Sequence, residues 1–220
     1  MKKDKLKILY EDKYLIIINK PNNLLMIATE KEKENTLYHK VLLYLKKKNQ
    51  KVFVVNRLDK DTSGIVIFAK NEKVKRLLQD NWNQVIRKYM AIVYGKLEKK
   101  EDTLKSYLLE TKTNLVYSTN DSKKGKLAIT SYKVIYETDK YSLLDINIKT
   151  GRKNQIRVAL NDIKHPIVGD KKYNQEKQNA KRLYLHSYYI EFNHPVTKQL
   201  IKIELDIPTE FIKLLNYNNK

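Results

Sequence analysis

The sequence predicts an α+β fold: a mixed, mainly antiparallel β-sheet with flanking helices. Three observations predict it. Short apolar runs rich in β-branched and aromatic residues come in pairs about polar turns, at 6–10 with 14–19 and at 128–136 with 141–149. Between and after these pairs, apolar residues recur at helical spacing in 36–45, 74–82 and 156–163. The 220 residues contain only 5 Gly and 4 Pro, which argues against long disordered linkers. No repeat or boundary shows, so 1–220 reads as a single domain.

The elements follow in order. Residues 6–10 and 14–19 flank Glu11-Asp12-Lys13 as a hairpin, and Lys20-Pro21 ends the second strand because Pro lacks a ladder donor. Leu37, Val41, Leu42 and Leu45 form a helical stripe, with Lys46, Lys47 and Lys48 suiting the dipole at its end. His39 on that helix is given no role. Residues 52–55 and 65–69 are short strands joined by a charged link. Asn71 caps a second helix whose stripe is Val74, Leu77, Leu78 and Trp82. An aromatic on such a stripe is core rather than a base-stacking platform. Residues 87–95 alternate, with Tyr89, Ala91 and Val93 on one strand face. The polar stretch 103–120 reads as a short strand and turn, followed by a hydrophilic loop at 121–126. The hairpin 128–136/141–149 feeds a helix beginning near Asn154, its cap. Strands at 184–192 and 200–205, joined through His194-Pro195, close the sheet, and 208–215 is a last helix with Pro in its first turn.

Composition bounds the function. Lys plus Arg is 45 and Asp plus Glu is 25, so the formal charge is 45 − 25 = +20. With a pI near 9.7 this implies a polyanionic partner, nucleic acid before anionic membrane. Lys-rich background usage is the competing explanation. The absence of Cys excludes disulfides, thiolate metal sites and a Cys nucleophile, and fits a reducing interior. The apolar runs fall far short of the ~18 residues that span a bilayer. The basic stretch 1–7 leads into Glu11 and Asp12, so it is not read as a signal peptide. His39, His165, His186 and His194 lack metal-ligand spacing; the last three are read as structural and no metal is expected.

Two stretches carry candidate chemistry. The link Asn56-Arg57-Leu58-Asp59-Lys60-Asp61-Thr62-Ser63-Gly64 joins two buried strands, which puts its side chains at a sheet edge open to a substrate. Composition alone also allows a simple Asp-rich turn. The run Thr150-Gly151-Arg152-Lys153-Asn154-Gln155-Ile156-Arg157-Val158 is a strand–turn–helix junction. Free amides and cations converge there as an anion cradle, or the run is an ordinary capped helix with solvated cations.

These strings resemble, in order, the motifs of the RluA-type pseudouridine synthase family. The first is similar to H-R-L-D-x-x-T-S-G at Arg57, Leu58, Asp59, Thr62, Ser63 and Gly64, with Asn56 in place of His. The run 87–95 resembles K-x-Y-x-A-x-V-x-G, with Arg87 for Lys. The junction resembles T-G-R-x-H-Q-[IL]-R-V-H, with Asn154 and Ala159 for the two His. Residues 165–173 resemble H-P-[IV]-x-G-D-x-x-Y. The likeness runs from about Ile8 to Asp206 and starts too early to leave room for the small RNA-binding domain many relatives carry first.

The resemblance implies the pseudouridine synthase catalytic fold and isomerisation of uridine to pseudouridine in ribosomal or transfer RNA. It makes Asp59 the catalytic residue, lays Tyr89 against the target base and pairs Arg157 with the catalytic carboxylate. Arg57 helps fill the gap left by a flipped uridine, and Arg152, Ile156 and Arg87 line the substrate. An ionised carboxylate is favoured by a neighbouring guanidinium. Whether Asp59 attacks the sugar, attacks the base or removes a proton stays open. No cofactor is needed, since the reaction is an isomerisation, and the expected enzyme is a cytoplasmic monomer. The competing class is a non-catalytic RNA-binding or ribosome-associated protein. It fits the charge equally, but has no use for an acidic residue facing phosphates.

Overall fold

The computed structural model describes residues 6–174 and 180–216, so most of the basic stretch at 1–7 lies outside the described residues. In chain order the elements are β1 (Ile8–Glu11), β2 (Leu15–Lys20), α1 (Leu37–Lys46), β3 (Phe53–Val54), β4 (Ser63–Ala69), α2 (Glu72–Asp80), β5 (Ile86–Tyr94), β6 (Glu101–Glu110), β7 (Val116–Thr119), β8 (Lys126–Glu137), β9 (Tyr141–Ile148), α3 (Gln155–Asp162), β10 (Leu185–Asn193), β11 (Leu200–Glu204) and α4 (Thr209–Leu215). This is the expected α+β class. The chain packs as two compact units, Met1–Val85 with Tyr189–Glu204, and Ile86–Tyr188 with Leu205–Lys220.

In the first unit β1 and β2 form the expected hairpin, turning on Asp12, whose Oδ1 accepts the Tyr14 and Leu15 amides at 2.7 and 2.6 Å. β2 runs antiparallel to β4, from Leu15 opposite Ala69 to Lys20 opposite Gly64. Leu15, Ile16, Ile17 and Ile18 are fully buried, as is every residue of 65–69. Both faces of these strands are covered, which is why they read as continuous apolar runs. β3 pairs with the end of β4, Phe53 opposite Ala69. α1 starts where Thr36 Oγ1 accepts the His39 amide at 3.1 Å, and Asn71 caps α2 by accepting the Lys73 amide at 2.7 Å.

One expectation here is corrected. Trp82 is not on the α2 stripe. The helix ends at Asp80, the Asn81 side chain donates back to the Leu77 carbonyl at 2.9 Å, and Trp82 falls half-buried in a separate turn of 3₁₀ helix. β10 and β11 pair from Tyr189 opposite Glu204 to Asn193 opposite Leu200. His194 at their turn accepts the Val196 and Thr197 amides on Nδ1, the structural role expected of it.

Glu11 ties this unit together. It receives Lys70 at 2.7 Å, Lys48 at 2.9 Å and the Tyr44 hydroxyl at 2.7 Å, joining β1 to α1 and to the residue after β4. Burial raises its pKa, but the hydrogen bonds from Lys70, Lys48 and Tyr44 outweigh that and hold it at about 2, below the ordinary 4.5. A depressed folded-state pKa gives stability that is full above the ordinary value and vanishes as pH falls towards the folded one. Glu11→Gln is therefore expected to cost ~2 kcal/mol at neutral pH. It is also expected to flatten the fall in Tm between pH ~4.5 and ~2, read by thermal melts across that range.

In the second unit the strand order is β5-β9-β8-β6-β7, each neighbouring pair antiparallel. The short strand expected in 103–120 is instead the ten-residue β6 hairpinned to β7. Its exposed residues Glu101, Thr103 and Lys105 alternate with half-buried ones because one face is open. β5 departs from simple alternation: residues 89–93 are all buried, so both of its faces are covered. α3 lies on the sheet face that carries Leu108, Val116 and Ala128, which cluster with Val158. Strand register extends that face across the sheet: Tyr132 lies four residues on from Ala128, opposite Ile146, which is opposite Tyr89. Tyr89 thus shares the face that α3 covers. His165 holds the Tyr94 carbonyl through Nδ1 at 2.8 Å. Pro208 precedes α4 as its cap residue rather than entering the first turn. Among the described residues no helix is long and apolar enough to cross a membrane.

Candidate active site

The link carrying Asp59 is locked at both ends. Asn56 Oδ1 accepts the Ile67 amide of β4 at 2.8 Å, and Leu58 is buried. The Asp59 carbonyl accepts the Thr62 amide at 3.1 Å, closing a tight turn before buried Thr62 and Ser63. Gly64 follows at φ +115°, a backbone that favours Gly. The link is strapped from below by Lys20, whose side chain is 0 % exposed. Its ammonium donates to the carbonyls of Lys60 and Leu24 at 2.8 Å each and of Pro21 at 3.1 Å. An ammonium has three protons and tolerates burial when all are accepted. Asn22 adds a bond to the Asp61 carbonyl at 3.2 Å. With the backbone held, Asp59 stays half-buried on the turn and Arg57 is exposed.

In the second unit the β9–α3 junction is organised by Gln155. Its Oε1 accepts from the Thr150 hydroxyl at 2.7 Å and the Arg152 amide at 3.0 Å. Its Nε2 donates to the Ile129 carbonyl and the Thr130 hydroxyl, both at 3.0 Å. Arg87 reaches this junction from β5, donating to the Ile148 and Lys149 carbonyls at 3.4 Å. Burial pushes its pKa down, with Tyr89 partly opposing. A Cβ on Gly151 would lie 3.0 Å from an Arg87 Nη1, so Gly leaves the guanidinium its place. Arg152 is exposed and donates through Nε to the Leu127 carbonyl at 3.0 Å, while Ile156 is buried.

Arg157 is buried and held by Asp170, a partner that sequence spacing does not reveal. Nε and Nη2 donate to the two Asp170 oxygens at 2.8 and 2.7 Å, a side-on bidentate pair. Asp170 is 1 % exposed, and its Oδ1 also accepts the Lys172 and Tyr173 amides at 2.9 and 3.1 Å. Gly169 sets that carboxylate: its φ is +79°, and a Cβ there would lie 1.8 Å from the Arg182 carbonyl oxygen. Asn154 takes the N-cap position of α3, as expected, with left-handed φ 54°, but its side chain makes no capping bond to the helix. Its Oδ1 accepts from Arg157 Nη1 at 3.3 Å and its Nδ2 donates to the Tyr173 hydroxyl at 2.9 Å. Burial raises the pKa of Tyr173, against the hydrogen bonds from Asn154 and Val116.

The second unit thus gathers Arg87, Arg152, Ile156 and Arg157 about one junction, with Tyr89 on the α3 side of the sheet. The first presents Asp59 and Arg57 on one strapped link. Lys20, Gln155, Asp170 and Tyr173 went unassigned in the sequence. Gln155, Asp170 and Tyr173 are themselves letters of the quoted motifs, the one signal that could have found them; Lys20 lies in none.

A family model described as RNA pseudouridylate synthase matches residues 14–162, well over half of the chain. A tRNA pseudouridine synthase C of Haemophilus ducreyi is 34% identical over 96% of this chain and 95% of its own. A ribosomal large subunit pseudouridine synthase C of Rickettsia typhi is 35% identical over 94% of this chain and 70% of its own. Among solved structures, the human RNA pseudouridylate synthase domain containing 4 protein superposes with a TM-score of 0.80, covering 96% of this chain and 92% of that one. At 22% identity that likeness speaks for the fold.

Proposed function

We propose, from the premise that this chain belongs to the RluA-type RNA pseudouridine synthase family, that it isomerises uridine in transfer or ribosomal RNA with Asp59 as the reacting carboxylate. The reaction breaks the bond from N1 to the ribose, turns the uracil, and joins C5 to the same ribose carbon. C5 loses a proton and N1 gains one, so atoms and electrons balance within the nucleoside and no oxidant or water is consumed.

The observation that carries this reading is the strapped link: its backbone is fixed by Lys20, Asn22 and Asn56, while Asp59 stays half-buried on the turn. A fixed backbone supplies the orientation that chemistry at a carboxylate requires. Roles follow residue by residue from the motifs. Asp59 reacts, Arg157 offsets its charge, and Tyr89 offers an aromatic face to a uridine drawn out of its stack, an extrusion costing a few kcal/mol. Arg57 helps fill the gap that the base leaves. Arg152, Arg87 and Ile156 serve the substrate, the first by phosphate contact and the other two by shaping the junction beneath it. The enzyme works as a monomer, without a metal, in the cytoplasm.

The test is to map pseudouridine in total RNA from cells with and without this protein. One or a few uridines in transfer or ribosomal RNA are expected to lose the modification; an unchanged map overturns the reading. With the purified protein and the RNA so identified, KM is expected to rise steeply with salt, since a chain of charge +20 binds RNA largely through phosphates. A KM insensitive to salt would remove the phosphate contribution from the account.

A further inference from the structure

We infer that Asn154 and Tyr173 form a second clamp on Arg157, opposite Asp170, and that both are positioning residues for the reaction. The inference rests on the proposed role of Arg157 beside the reacting carboxylate. Asp170 grips the Nε side of the guanidinium and Asn154 Oδ1 accepts a hydrogen bond from Nη1 on the other flank. A guanidinium has no acceptor, so the Asn154 oxygen must face it and the amide nitrogen must face Tyr173. The Tyr173 hydroxyl accepts that amide and also the Val116 amide at 3.3 Å, which anchors the clamp to β7. The Tyr173 ring centre lies 5.2 Å from Arg157 Cζ, within range of a cation–π contact. A bidentate pair alone lets the guanidinium swing about the line to its carboxylate; a bond on the opposite flank removes that freedom.

The departure from the family pattern supports this. The motif carries His where this chain has Asn154. The position needs left-handed backbone, φ 54°, a region in which Asn and His are both enriched. It also needs one acceptor and one donor, which a neutral imidazole supplies as an amide does. Asn154 therefore does the work of the missing His rather than marking its loss.

The test compares Asn154→Gly, Asn154→His and Tyr173→Phe on the modified RNA. Gly adopts the left-handed backbone without strain, so only the side-chain bonds are lost. Asn154→Gly is expected to lower kcat about 10-fold with KM within about 2-fold, since small misplacements of a reacting group cost rate rather than affinity. Tyr173→Phe, which keeps the ring and loses the hydroxyl, is expected to lower kcat in the same direction, and Asn154→His to restore it. Wild-type kcat in Asn154→Gly overturns the inference, as does a kcat loss that Asn154→His does not recover. Arg157→Met separates the two levels. If it keeps full turnover, the proposed role of Arg157 fails. If it is inactive while Asn154→Gly is not impaired, only the clamp fails.

Discussion

Asp59→Asn is expected to bind RNA as well as the wild type and to form no measurable pseudouridine. The change is isosteric and spares what fixes the link. The bond from the Thr62 amide goes to the Asp59 backbone carbonyl, and Lys20 holds the carbonyl of Lys60. The fold around residue 59 should survive. Removing a negative charge from a chain of +20 that binds a polyanion does not weaken binding. What is lost is the only group on the link that the mechanism uses as nucleophile or base. Losing such a group costs roughly 10⁴-fold or more in turnover. The measurement is release of tritium from uridine C5 beside a filter-binding or anisotropy titration. Turnover clearly above background in this variant would remove Asp59 from the chemistry, and a matched loss of affinity would make its role structural.

Much of this was legible in the sequence because the informative signals are local. β1–β2, β8–β9 and β10–β11 announce themselves by apolar runs about polar turns, and the Asn71 cap by residue type and position. The two-unit division is silent in the sequence. The chain passes from one unit to the other at Val85 and Ile86, again inside β10, and a third time between Glu204 and Leu205, with no Gly or Pro at any of these points. The role of Lys20 was hidden for a physical reason: Lys is almost never fully buried, so nothing marked this strand end as a buried strap. Its burial depends on three carbonyls supplied by turns, one of them forty residues away. Trp82 misled because helical spacing continues past the point where Asn81 turns back on α2. The substitutions at Asn56 and Asn154 have local explanations. Asn56 accepts a β4 amide, a bond that a neutral imidazole nitrogen also accepts.

Arg157→Met is expected to lower turnover by at least about 100-fold and, at the same time, stability by about 3 kcal/mol. The second effect follows from Asp170, which would be left as a carboxylate 1 % exposed with its guanidinium gone. An activity loss in this variant alone is therefore ambiguous between lost chemistry and a loosened fold. The double variant Arg157→Met/Asp170→Asn resolves it. Asn keeps an oxygen for the Lys172 and Tyr173 amides, which Asp170 Oδ1 now accepts, and carries no charge to strand. Denaturant melts are expected to show about 1–2 kcal/mol regained over the single variant, with turnover unchanged from it. Recovered turnover in the double variant would mean that Arg157 serves only to neutralise Asp170. RNA titrations complete the assignment: a group acting on the reacting carboxylate costs turnover far more than affinity. A loss of affinity equal to the loss of turnover would make Arg157 a phosphate contact, because uniform binding is what such a contact supplies.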